Sequence, residues 1–121
     1  MQVEEIRWLD KDVKEAFLKI SSGADSLWCF SCPCSGNVGD IRTEPLECLD
    51  AENIIMCDNH VFFARRIDDK FKYVINGRVV NRQNGLVEVN GFLLHLDEDR
   101  IPKDITDGMF IQFIVSRIDI W

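Results

Sequence analysis

Four residues have the types and spacing of a metal site. Cys29 and Cys32 form one Cys-x-x-Cys pair, and Cys57 and His60 form a Cys-x-x-His pair 24 residues further on. A two-residue gap lets both ligands of a turn reach one ion, and thiolates with an imidazole suit tetrahedral zinc. Cys34 is a spare thiolate nearby. Two features weigh against zinc. Pro33 stands where a zinc knuckle commonly has glycine, and Cys29 sits in the apolar run Leu27-Trp28-Cys29-Phe30, where a buried thiol acts as a small hydrophobe. The expectation is therefore no cofactor, with zinc on Cys29, Cys32, Cys57 and His60 as the alternative.

The same Cys29 and Cys32 could form a redox dithiol. That chemistry wants a thiolate at a helix N-terminus or beside a base, and Pro33-Cys34-Ser35-Gly36 does not read as a helix start. A cysteine nucleophile needs a histidine partner, and the only histidines are His60 and His95. His95 lies in Phe92-Leu93-Leu94-His95-Leu96 and reads as a strand residue. The acidic groups Asp97, Glu98, Asp99, Asp104 and Asp107 lack the spacing of a calcium loop. There is no phosphate-binding loop, dinucleotide fingerprint or nucleophile elbow. This inventory points away from an enzyme.

A second constellation runs from Phe62 to Tyr73. Phe63, Arg65, Arg66, Lys70, Lys72 and Tyr73 interleave cations with rings, as single-strand nucleic-acid grooves do. The plainer expectation is that the aromatics face the core and the cations face water, because Phe71 and Tyr73 flank Lys72 and must point the opposite way in a strand.

Charge sharpens the choice. The 121 residues carry 21 acidic and 14 basic groups, net −7. A general nucleic-acid or anionic-membrane binder would be basic overall. The charge is also uneven. Residues 1–64 are net −7, residues 65–82 are net +4, and residues 83–121 are net −4. The basic stretch could neutralise the acidic half within one fold or meet an acidic partner protein.

Composition and the ends set the class. Hydrophobic residues make up 46% and charged residues 29%, as in a globular domain of this length. The N-terminus is acidic where a signal peptide needs a basic region, and no apolar run approaches a membrane span of roughly 18 residues. No lipidation motif closes the chain. A cytoplasmic protein is expected, with its five cysteines reduced; five is odd, so full internal pairing is excluded.

The elements that must position these residues are unequally legible. Over residues 3–20, Ile6, Leu9, Val13, Phe17 and Ile20 recur at helical spacings, yet residues 16–20 also alternate as a strand would. Ser21 to Asp25 reads as a turn, so a hairpin of 16–21 with 26–31 is favoured for the second half of this stretch. Residues 31–40 read as a loop. Thr43 can cap a short helix at about 44–52, with Pro45 in its first turn and Leu46 and Leu49 on one face.

The second half reads more clearly. Strands are expected at Val61–Arg65 and at Phe71–Asn81, the latter bent and bulged at Gly77. Asn84-Gly85 and Asn90-Gly91 are hairpin turns bracketing Leu86–Val89, with Phe92–Leu96 following. Residues 97–108 form a polar connection. Met109 to Trp121 reads as a central strand, apolar on both faces, or as an intermolecular edge.

Short strands with frequent turns predict one mainly β domain over 1–121. It is a small barrel or sandwich of antiparallel hairpins with one or two short helices. Its acidic, cysteine-containing half is 1–60 and its clear β half is 61–121. The order of elements within 71–120 resembles an OB-fold barrel. An OB barrel has five strands, so residues 1–60 must supply the missing strand or form an added layer. The function expected is a non-enzymatic binding module, most simply a protein-binding adaptor, inhibitor or immunity-type domain. An OB-like single-strand nucleic-acid binder and a zinc-stabilised module are the alternatives. Trp8, Trp121 and Arg66 are interface candidates by type.

Overall fold

The computed structural model describes residues 1–67 and 71–120. The strands are β1 (Gln2–Asp10), β2 (Glu15–Ser21), β3 (Ser26–Ser31), β4 (Leu46–Leu49), β5 (Glu52–Met56) and β6 (Phe63–Arg66). They continue with β7 (Tyr73–Asn81), β8 (Leu86–Val89), β9 (Phe92–His95), β10 (Phe110–Val115) and β11 (Arg117–Asp119). One 3-10 turn at Glu98–Arg100 is the only helical element among the described residues. No helix there is long and apolar enough to cross a membrane.

The N-terminal third is a meander. Residues 3–20 form two strands and their turn, not a helix. The alternation within 16–20 outweighs the helical spacing because β2 is held on both edges, by β1 and by β3. Ala16 pairs with Ser31 and Ser21 with Ser26, as the turn chemistry at Ser21–Asp25 implies.

The helix expected at 44–52 does not form. Residues 46–56 run as one interrupted strand against the C-terminal strand. Leu49 pairs with Arg117 and Glu47 with Asp119, while Met56 pairs with Ile111 and Ile55 with Gln112. Asp50, between β4 and β5, takes a positive φ of 52° and breaks the strand there, and Asn53, near the start of β5, takes 53°. Leu46 and Cys48 are buried and Leu49 is exposed, which is a period of two rather than of 3.6.

The eleven strands make a mixed sheet in the order β1-β2-β3-β11-β4-β9-β8-β7-β10-β5, with β6 on β7. Most pairs are antiparallel; β3 with β11 and β4 with β9 are parallel. Ser116 alone separates β10 from β11. Hydrogen-bonded neighbours therefore run from β11 through β4, β9, β8 and β7 back to β10.

The longest strand of the second half, β7, serves three partners. Its first half pairs with β6, its second with β8, and β10 lies along the other edge. Gly77 sits where the change occurs. A Cβ there would stand 2.6 Å from the Glu88 carbonyl oxygen and 3.0 Å from Val87 Cγ1, so only glycine lets β8 approach. The register irregularity in this pair falls between Val79 and Asn81 rather than at Gly77.

One hydrophobic cluster spans both halves. It includes Leu18, Ile20, Leu27 and Cys29 from the meander, and Ile75, Val87, Leu94, Ile111, Phe113 and Ile118 from the rest. Full burial of each large aliphatic side chain contributes about 1.5–3 kcal/mol.

Candidate functional site

The structure does not bring the four metal-type residues together. Cys29 is wholly buried on the inner face of β3. Cys32 is exposed in the following loop, its thiol 3.7 Å from the Val13 carbonyl oxygen. The Cys57 thiol lies 3.6 Å from the Asn59 carbonyl oxygen. His60 stacks on Phe110, ring centroids 4.7 Å apart and planes 12° apart. Among the described residues, no three His, Cys, Asp or Glu side chains gather as a metal site.

The thiols that do approach one another are Cys29 and Cys48, in the core. Burial, then the nearby Asp119 carboxylate, holds the Cys29 thiol well above its ordinary range. Cys48 is raised by burial first, then by Cys29, Glu47 and Asp119. Both are therefore protonated and unreactive. His95 is half-buried on β9, and its Nδ1 lies 2.7 Å from a Glu47 carboxylate oxygen on the neighbouring β4. The two are a cross-strand pair.

The basic aromatic segment divides. Tyr73 turns inward and is buried, with Lys72 exposed beside it. Phe63 instead lies half-buried on the outer face of β6, sharing that face with Arg65 two residues on. The Arg65 guanidinium stands 4.8 Å from the Phe63 ring centroid. Arg66 is exposed at the end of the same strand. Lys70 and Trp121 lie outside the described residues.

Register extends the Phe63 face across three more strands. Phe63 opposes Asn76, Asn76 opposes Gln112, and Gln112 opposes Ile55, and opposed residues share a face. Phe110 and Ile114 flank Gln112 on that face of β10. The loop from Cys57 to Phe62 crosses it. Asn76, fully buried beneath, donates from Nδ2 to the Asn59 carbonyl at 3.1 Å and to the Val61 carbonyl at 2.6 Å. The Cys57 N–H donates to the Phe110 carbonyl. This pinning holds Phe62 5.2 Å from Phe110 and leaves it 39% exposed, beside Val61 and Ile55 at 46% and 55%.

The result is a surface of Ile55, His60, Val61, Phe62, Phe63 and Phe110 with Arg65 at its margin. Of these, the sequence singles out Phe63 and Arg65 as binding candidates, begins its aromatic stretch at Phe62, and offers His60 only as a metal ligand. His60, Phe62 and Phe110 converge through the loop's path, which no local pattern encodes. A partial signal existed in β10, whose residues are apolar on both faces. Only one of those faces can fill the core.

The chain matches no protein-family model, no curated protein and no solved structure.

Proposed function

We propose that the protein is a non-enzymatic binding module whose outer face on β5, β10, β7 and β6 docks a partner protein. The observation that carries this reading is the ring cluster of His60, Phe62, Phe63 and Phe110, built on a sheet and partly open to water. Aromatic and Arg side chains clustered on a sheet face are the composition of interface hot spots. Arg65 at the margin of this face fits a partner that is apolar with an acidic rim.

The scaffold of this module is read as a small OB-like barrel. In that reading β7, β8, β9 and the β10–β11 strand are four staves and β4 the fifth, with β1 to β3 as an added layer; the neighbour order of these strands supports it. The five free cysteines suit a reducing compartment, so the cytoplasm is proposed as its location. Single-strand nucleic acid is the rival ligand for Phe63 and Arg65, and the net charge of −7 opposes it.

The test compares immobilised wild-type protein with Phe62→Asp and with Leu9→Asp, an exposed residue of β1. Circular dichroism confirms that each is folded. A stoichiometric protein partner should be retained by wild type and Leu9→Asp and lost by Phe62→Asp. A partner held equally by all three, or none at all, overturns the docking face. Salt-dependent oligonucleotide binding that disappears in Arg65→Ala would establish the rival.

A further inference from the structure

We propose a second, separate site: the cleft between the β1–β2 turn and the loop 34–37 takes a planar aromatic ring bearing a phosphate, as in a nucleoside monophosphate. The argument begins with Trp8. It opposes Ala16, which is fully buried, so both side chains belong to the inner face of the hairpin. Yet Trp8 is 41% exposed. An inward-facing indole stays open because the loop 34–37 does not close over it.

The gap has a volume of about 480 Å³ and is lined by Trp8, Lys11, Lys14, Cys34, Ser35, Gly36 and Asn37. That lies within the range of small-molecule sites, about 300–1,000 Å³. The loop is tied to the turn, since the Cys34 N–H donates to the Lys14 carbonyl at 2.7 Å. The walls are therefore fixed relative to each other.

The chemistry of the walls is cationic and donor-rich in an otherwise acidic chain. Neither Lys11 nor Lys14 makes an ion pair among the described residues. No carboxylate lines the cleft, although Asp10, Asp12 and Glu15 flank the two lysines in sequence. Asp10 accepts from the Asp12 and Val13 N–H groups, and Asp40 accepts from the Asn37 N–H at 2.8 Å. The Ser35 and Gly36 N–H groups donate to no described group. Behind Gly36 stand Arg42 and Asp40 together: a Cβ there would be 2.7 Å from Arg42 Nη2 and 3.4 Å from Asp40 Oδ2, and neither residue lines the cleft. Two ammonium groups without ion pairs among the described residues and unspent N–H donors suit a phosphate. The exposed indole suits the ring beside it.

The experiment is isothermal titration calorimetry of the full chain at low salt with adenosine 5′-monophosphate, adenosine and inorganic phosphate. The monophosphate should saturate one site per chain. Adenosine and phosphate should each bind at least about tenfold more weakly, because each engages only one half of the cleft. Trp8→Ala and the double variant Lys11→Ala/Lys14→Ala should each weaken the monophosphate at least about tenfold, while Lys103→Ala should not. The lysines lie on an exposed turn, so the double variant keeps the test valid if Trp8→Ala unfolds. Absence of saturable binding, or equal affinity in the double-lysine variant, overturns the site. A 5′-phosphorylated oligonucleotide that displaces the monophosphate at tenfold lower concentration overturns the free-nucleotide form, because the cleft then reads a nucleic-acid end.

Discussion

The Tyr73 hydroxyl oxygen accepts the Trp28 backbone N–H at 3.0 Å, joining β7 to β3 across 45 residues of sequence. The bond fills a gap in the ladder. β11 meets β3 only at Phe30, so the Trp28 N–H on that edge has no strand partner. The Tyr73 ring is buried, and burial raises its hydroxyl pKa above the ordinary range while the Trp28 bond pulls the other way. Tyr73 is thus a fastener between the meander and the remaining strands.

Tyr73→Phe should keep the fold and the apolar packing but leave the Trp28 N–H without its acceptor. The expected cost is about 1–2 kcal/mol, read as a lower urea midpoint with an unchanged slope. A shift within error would mean that water replaces the hydroxyl.

The sequence made some of this legible and hid the rest for physical reasons. The hairpin of 16–21 with 26–31 was readable because its turn residues and its alternation are local. The residues 44–52 were not. Pro45, Leu46 and Leu49 satisfy helical spacing, and what decides against the helix is pairing with Arg117 to Asp119, some 70 residues away. The same limit applies to the sites. The two-residue spacing of Phe63 and Arg65 put them on one face, but nothing local says whether that face meets water or core. Nor could the spacing of Cys29 and Cys32 show that one thiol points inward while the other sits in the loop beyond. The Trp8 cleft depends on where the loop after β3 passes, which is set by non-local contacts to β1 and the turn.

Arg117 and Asp119 make a two-pronged ion pair, Nε to Oδ1 at 2.6 Å and Nη2 to Oδ2 at 3.0 Å. The guanidinium also lies 4.0 Å from the Phe30 ring centroid. Arg117→Ala would leave a mostly buried carboxylate without its cation, at a cost of about 2 kcal/mol. Arg117→Lys should recover only part of this, because an ammonium reproduces neither the fork nor the flat stack on the ring. Chemical denaturation of both variants checks the order; equal stabilities would show that charge alone matters.

Asn76 holds the loop that presents Phe62. Asn76→Asp would remove the Nδ2 donor and set a carboxylate against the Asn59 and Val61 carbonyl oxygens. The variant should lose about 2 kcal/mol or more, and amide exchange in residues 57–62 should rise before that of the core strands. Partner binding by the docking face should fall with it. Uniform exchange across the chain would mean the loop is held by its ring contacts instead.

Thiol reactivity should rank by burial. Cys32 is exposed and Cys57 half-buried, whereas Cys29, Cys34 and Cys48 are buried. A short iodoacetamide pulse on native protein should label Cys32 first and Cys57 next, with the other three labelled only after denaturation. Peptide mass spectrometry assigns each site. Rapid native labelling of Cys29 or Cys48 would contradict their packing between β3, β4 and β11.

The same two core thiols make stability depend on pH. Both have folded values raised above the ordinary 9.0, so the folded protein keeps its protons where the unfolded chain has begun to lose them. Their contribution is complete below pH 9.0 and declines as pH rises above it. Each thiol that is ionised only in the unfolded chain steepens the loss by about 1.4 kcal/mol per pH unit. Tyr73, raised above its ordinary 10.0, adds to the decline from that point upward. Urea midpoints should therefore fall steeply from pH 9 to 10.5, and Cys48→Ala should flatten that fall even if it lowers stability at pH 7. A midpoint that stays level over this range would mean that the core admits a thiolate, which burial beside Asp119 opposes.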